Sequence, residues 1–309
     1  MIKDFKDGDK LTAQLLVVGV TKGSSNSGAP YLNLSLQDKS GSIDGKLWNV
    51  SDEDLAKIIV GRVYNFTFDV INYRNNLQAK VLKTETIDQS VINLTDFVAA
   101  SPIKTEDLKN EIYGYLKTIK NENILKVLRL IMTEYETKFF SYPAATKNHH
   151  NFMGGLATHT LGMLKLADFI CDQYPILSRD IMIAGVLLHD IGKTDELSGA
   201  ILTEYTPEGK LLGHISMMQA KLYEVACKLQ LENTEEITLL RHIILSHHGK
   251  MEYGSPVLPL IAEAEAITFI DNLDARMNTL TMAFSNTEPN SFTTRLFPME
   301  NRAFYKHDK

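Results

Sequence analysis

Imidazole and carboxylate side chains recur in this sequence where apolar helical patterns turn them inward. In Val186-Leu187-Leu188-His189-Asp190-Ile191-Gly192-Lys193 the apolar run from Ile181 ends on His-Asp. A helix apolar on every side belongs in a core. Its end therefore sets two metal-ligand types at the rim of that core, where a charge is costly unless it is compensated. His159 lies at i+3 from Leu156 and i−4 from Met163. His214 follows Gly213, just ahead of another helix. Leu240, Ile243, Ile244 and His247 stand at i, i+3, i+4 and i+7, with His248 adjacent and Gly249 as a stop signal. Ala264, Ile267, Thr268 and Asp271 repeat that spacing. One inward histidine is ordinarily a hydrogen-bonded core residue. Several, on separate helices and joined by two carboxylates, call for a common cause, and a divalent cation supplies it. Mixed nitrogen and oxygen ligation suits Mn²⁺, Fe²⁺, Co²⁺, Ni²⁺ or Zn²⁺ without choosing among them. The lack of thiolates argues against a cysteine-type structural zinc site.

Helices must position these groups, and the periodicity places them at about 152–173, 180–190, 216–230, 234–247 and 259–284. Ahead of them Leu108, Ile112, Tyr115 and Ile119, then Ile124, Val127, Leu128 and Ile131, recur at helical spacing. The tail from Glu288 reads as extended. The N-terminal part has a different period. Leu15–Val20, Tyr31–Leu36, Ile43–Trp48, Val63–Val70 and Leu77–Thr84 read as strands, with a short helix over Ser51–Ile59. Five strands with one helix between the third and fourth is the order of an OB-fold barrel. The fold class expected is thus multi-domain. An all-β OB-fold barrel spans residues 1–90 and a linker 91–104, and an all-α bundle over 105–309 carries the histidines. On the barrel, Tyr31, Trp48 and Tyr73 are of a type that stacks on bases, and Lys22, Lys46, Arg74 and Lys80 of a type that meets phosphates.

Composition bounds the rest. The 309 residues, 44% hydrophobic and 23% charged, are ordinary for a globular protein. The net charge of −6 argues against strong non-specific duplex binding, though not against a narrow single-strand channel. The first 90 residues balance to zero, so the deficit falls on the histidine-bearing part, as suits a domain that takes up cations. The charged N-terminus has no secretory pattern, and no apolar run is long enough for a bilayer. Cys171 and Cys227 read as reduced thiols, so a cytoplasmic location is expected.

The order His159…His189-Asp190…Asp271 resembles the H…HD…D pattern of the HD-domain metal-dependent phosphohydrolases. His214 and His247-His248 match the extra histidines of members that hold two metals, and Lys193 the lysine of the HDIGK form. With the barrel in front, and Asn148-His149-His150-Asn151-Phe152-Met153-Gly154-Gly155-Leu156 leading into His159, the whole chain resembles the YhaM-type 3′–5′ exoribonucleases. The resemblance implies two divalent ions, with manganese the first choice. His159, His189, Asp190 and Asp271 would surround one, and Asp190, His214, His247 and His248 the other, Asp190 bridging. It further implies single-stranded RNA as substrate, with single-stranded DNA the second choice, cut to nucleoside 5′-monophosphates. No membrane partner is expected, and a homo-oligomer is left open. Lys193 would meet the scissile phosphate, and His149, His150 and Arg276 the substrate. Asp274, one turn after Asp271, would orient a ligand histidine. Two other readings stay open: an HD hydrolase of nucleotides or cyclic dinucleotides, against which the barrel argues, and a non-catalytic OB/HD adaptor, against which the intact ligand set argues.

Overall fold

A computed structural model describes residues 1–24, 28–48, 50, 57–73, 76–146, 150–201 and 203–308. The chain divides into two compact units, Met1–Ala100 and Ser101–Lys309, each with its own apolar core.

In the first unit β1 (Lys10–Ser24), β2 (Pro30–Asp38), β3 (Gly41–Trp48), β4 (Val63–Tyr73) and β5 (Asn76–Thr86) close into a barrel in the order β1-β2-β3-β5-β4. This is the OB-fold arrangement. The long β1 serves two neighbours. Its first part, Lys10–Leu16, pairs with β4 and its second, Leu16–Ser24, with β2, with a register shift between Val17 and Gly19 at the bend. Alternation along the strands decides most of the faces. Leu32, Leu34 and Leu36 join Leu15, Val17, Phe66, Phe68, Val70, Ala79 and Val81 in the core. The helix expected over Ser51–Ile59 lies mostly outside the described residues. The stretch expected as a linker is partly fastened to the barrel. Gln37 Nε2 donates to the Phe97 carbonyl at 3.1 Å and the Lys39 amide to that of Asp96 at 3.3 Å, with Phe97 and Val98 buried.

The second unit is built from α1 (Thr105–Thr118), α2 (Glu122–Ser141), α3 (Gly155–Gln173), α4 (Arg179–Leu188), α5 (Lys193–Glu196), α6 (Pro207–Lys228), α7 (Glu235–Ser246) and α8 (Ala262–Ser285). The all-apolar α4 sits at its centre, every residue from Ile181 to Leu188 buried, against α1, α2, α3, α7 and α8. Ser178 caps its start by accepting from the Ile181 amide. Gly185 lets two neighbours close in, because a Cβ there would stand 2.6 Å from Ile267 and 3.0 Å from Ile243.

Two elements differ from the sequence reading. α6 begins at Pro207 and not near residue 216, with Thr206 as its cap. A kink at Gly213 (φ 71°, ψ 151°) interrupts the period, so only the later half carries a regular signal. The tail is folded and not simply extended. β6 (Ser291–Phe292) pairs with β7 (Tyr305–Lys306), and Met299 is buried. Lys306 Nζ donates to the Phe284 and Thr287 carbonyls at 2.8 and 2.6 Å, a cation set on the negative end of α8. Among the described residues no helix is long and apolar enough to cross a membrane.

Candidate metal centre and nucleic-acid interface

Asp190 is 2% exposed, in the turn after α4, and its two oxygens face different ways. Oδ2 looks toward His189 Nε2 (3.3 Å) and His159 Nε2 (3.9 Å); Oδ1 looks toward His214 Nε2 (3.5 Å) and His247 Nε2 (3.6 Å). Asp271 Oδ1, from α8, stands 3.2 Å from His159 Nε2. Among the described residues, His159, His189 and Asp271 on one side and Asp190, His214, His247 and His248 on the other each bring ligand atoms within 4.8 Å of one another, as do His150, His159 and Asp274.

The histidines share one arrangement. Nδ1 of His189, His247 and His248 lies 2.8, 2.8 and 2.7 Å from the carbonyls of Val186, Ile244 and Tyr253. A carbonyl can only accept, so in each neutral ring Nδ1 carries the proton and Nε2 keeps its lone pair. Carboxylates do the same for the others. Asp274 Oδ2 is 2.7 Å from His159 Nδ1, in the orienting position expected of it, and Glu196 Oε1 is 3.2 Å from His214 Nδ1. The inward atoms are left without ordinary partners. His189, His214 and His247 Nε2 and Asp190 Oδ1 are buried and make no hydrogen bond. Buried polar atoms seldom go unsatisfied, and oriented imidazoles converging on a carboxylate are what divalent cations require.

The electrostatics agree. Burial by itself would raise the Asp190 carboxyl, but the Lys193 ammonium and His189 overcome it and hold the group well below the carboxylate range. Burial opposes ionisation of Asp271 too, and His159 outweighs it, lowering the carboxyl. Burial pushes His247 down, and His248 to about 4, keeping both rings neutral. His159 is the exception. Burial would lower it, yet Asp271 and Asp274 together raise it to about 9. A place that draws a proton between an imidazole and a carboxylate equally draws a metal cation.

Glycines make the approach close enough. At Gly192 a Cβ would run into the His214 carbonyl, and at Gly155 into that of His150. At Gly162, one turn after His159 on α3, a Cβ would collide with Asp274 Oδ1. Gly162→Ala therefore has opposed effects. Helix propensity favours alanine by roughly 1 kcal/mol. Displacing the carboxylate that orients a ligand should weaken metal binding by about 10–100-fold. Metal titration with a thermal melt on the same samples checks both signs; unchanged affinity would remove Asp274 from the orienting role.

Several other expected site residues have partners within the protein. Lys193 Nζ lies 2.6 Å from Asp190 Oδ2, a buried ion pair. His150 is only 4% exposed, so it is turned inward and not presented to a strand. Its backbone adopts φ 53°, its amide donates to Asn278 Oδ1 at 3.0 Å, and its ring stands 3.6 Å from Asp274. Arg276 donates to Glu300 through both terminal guanidinium nitrogens, at 2.8 and 3.1 Å. His149 lies outside the described residues. Glu196 is the residue that reading missed. A buried carboxylate at i+3 from Lys193, it accepts from both the amide and Nδ1 of His214; the only sign of it was its place on the short helix after the His-Asp pair.

On the barrel, Tyr31 and Trp48 are register partners with ring centroids 4.7 Å apart. Lys46 Nζ stands 5.0 and 5.3 Å from the two rings. At Gly23 a Cβ would overlap the Tyr31 ring, so the glycine lets that ring lie across β1. Lys80 is paired with Lys46, on the same outer side. Lys22 is paired with core-facing Leu32 and so falls on the other side of the sheet. Gly19, Thr21, Asn33, Ser35, Asp44 and Gln78 line a hollow of about 190 Å³ on the outer face. Tyr73, half exposed, closes the far end of β4; by register it lies roughly 20 Å along the strands from Trp48. Arg74 lies outside the described residues.

The helical unit is of the HD class: the HD-domain family model matches residues 156–276, the span that holds His159, His189, Asp190, His214, His247, His248 and Asp271. Over 306 residues the chain is 44% identical to the 3′-5′ exoribonuclease YhaM of Geobacillus sp. (strain WCH70), covering 99% of this chain and 94% of that one, and it belongs to that protein's family. The second OB-fold domain of replication protein A from Methanococcus maripaludis is also similar. It is 23% identical, covers 30% of this chain and 97% of that one, and has a TM-score of 0.25.

Proposed function

We propose that the chain is a metal-dependent 3′–5′ exoribonuclease that releases nucleoside 5′-monophosphates from single-stranded RNA, with single-stranded DNA as a secondary substrate. Its relative is named a 3′-5′ exoribonuclease. The observation that carries the reading is the convergence of oriented imidazoles on the two faces of Asp190. His159, His189, Asp190 and Asp271 would hold one divalent ion, and Asp190, His214, His247 and His248 the other, with manganese the first choice. Such a pair would supply an activated water and charge stabilisation for the attacking and leaving oxygens. Asp190 fixes both sides through one rigid carboxylate, and Asp274 and Glu196 hold His159 and His214 in aim. Lys193, its charge kept up by Asp190 despite burial, meets the phosphate as a point charge. The outer barrel face, with Tyr31, Trp48, Tyr73, Lys46 and Lys80, holds the strand. Cys171 and Cys227 are both free thiols, in keeping with a cytoplasmic protein.

End-labelled single-stranded RNA incubated with Mn²⁺ tests the reading. RNA carrying a 5′ label should shorten stepwise from its 3′ end, and a chelator should stop it. Intact RNA alongside hydrolysis of a nucleotide or cyclic dinucleotide would transfer the site to the nucleotide-hydrolase reading. Lys193→Ala separates phosphate contact from metal holding. Turnover should fall by about 10–100-fold, the worth of a charge-assisted hydrogen bond, while elemental analysis finds wild-type metal. Loss of metal with the lysine would make the residue structural.

A further inference from the structure

The segment after His248 is shaped around that histidine, and it carries one ring that the centre described above does not use. Gly249 (φ 75°) starts it and Gly254 (φ 100°) ends it, with a single 3-10 turn, Met251–Tyr253, between them. At Gly249 a Cβ would collide with Thr268 of α8, so the segment is seated tightly. His248 ties the far end of the stretch back to its start. Its amide donates to Ser255 Oγ at 3.1 Å and its Nδ1 donates to the Tyr253 carbonyl at 2.7 Å. Any residue could provide that carbonyl. The ring of Tyr253 is a separate matter: it is 57% exposed. Lys250 Nζ stands 5.4 Å from its centroid.

A single imidazole thus separates the Tyr253 backbone from the metal-facing atoms, and the His248 ring is itself 4.2 Å from His247 and 5.3 Å from His214. An exposed aromatic ring with a lysine ammonium beside it, on the residue whose carbonyl orients a metal-facing imidazole, is the kind of surface that a base next to the scissile phosphate can stack on. Stacking is indifferent to base identity, because every base has a π-face. We propose that Tyr253, with Lys250 beside it, is the stacking platform for the 3′-terminal base of the strand, whose 5′ phosphate lies at the metal centre. The inference rests on reading that centre as a phosphodiesterase. It gives the helical unit its own grip on the strand end, in addition to the barrel face.

The test is a two-way comparison on the full chain with Mn²⁺. Two RNAs of equal length are used, one normal and one abasic at the 3′-terminal nucleotide, and first-cleavage kcat/KM is measured for wild type, Tyr253→Ala, Tyr253→Phe and Tyr253→Trp. Wild type should cut the abasic end about tenfold more slowly than the normal one, the scale of one base–aromatic stack. Tyr253→Ala should lose the same factor on the normal end and nothing further on the abasic one. Phe and Trp should restore the discrimination, and metal per chain should stay at the wild-type amount throughout. Independent, multiplying losses would overturn the proposal, as would failure of Phe to rescue or loss of metal with the ring. If the phosphodiesterase reading itself is wrong, wild type will cut neither RNA; if only the platform is wrong, wild type will cut both and every variant will share its discrimination.

Discussion

Asp190→Asn is expected to abolish RNA hydrolysis, lowering turnover by at least about a thousandfold, the equivalent of roughly 4 kcal/mol of lost transition-state stabilisation. The helical circular dichroism signal should stay at its wild-type strength. Among the described residues Asp190 is the one carboxylate with an oxygen toward each imidazole group. Asparagine keeps the shape and one oxygen, but removes the charge and turns the other position into a donor. Bound metal, counted by elemental analysis, should fall with the activity. Alanine is the poorer substitution. Lys193 Nζ sits 2.6 Å from Asp190 Oδ2 with its side chain 14% exposed. Removing the carboxylate altogether would strand a buried ammonium at a cost of about 3–5 kcal/mol, so a loss of folding would mask a loss of chemistry. An active Asp190→Asn protein would end the two-sided reading of this residue, and full activity under chelation would end the metal-dependent one.

Removal of the barrel should separate binding from cutting. A chain beginning at Ser101 retains the complete helical core and every residue of the candidate centre. It should hydrolyse a small chromogenic phosphodiester at close to the parent rate per bound metal. On long RNA it should be weaker by about a hundredfold or more, because each lost base–aromatic stack is worth about 1–3 kcal/mol. Premature release would show as a ladder of partial products. Tyr31→Ala with Trp48→Ala in the full chain should move RNA activity in the same direction without shortening the protein. Strand affinity of the parent should fall as salt rises if Lys46 and Lys80 meet phosphates. The deciding quantity is the ratio of RNA to small-substrate activity. An unchanged ratio in the folded short chain would take the barrel out of the substrate path and favour a nucleotide substrate.

Much of this protein follows from local periodicity. The alternation of Leu32, Leu34 and Leu36 predicts a half-buried strand because neighbouring side chains of a strand point to opposite faces. The unbroken apolar run before His189 predicts a central helix because such a helix has no side to offer water. The same logic predicts inward positions for His159, His247 and Asp271 from their spacing to apolar residues. The structure differs where a residue's place depends on contacts distant in sequence. His150 carries no periodic signal, and burial in a turn beside Asp274 took it away from the strand. Arg276 looked available until Glu300, folded back by the C-terminal hairpin, engaged it. Glu196 is one acidic residue among many until Gly209 and Gly213 bring His214 against it. Residue types and spacing by themselves determined which side chains turn inward on each element and what chemistry they could do. Only the tertiary structure decided which Nε2 atoms share which oxygen of Asp190, and which acceptor holds each Nδ1. Those distances are set by how closely separate helices pack, and that closeness depends on Cβ atoms missing at Gly162, Gly185 and Gly192, a property of pairs of elements that no single stretch of sequence records.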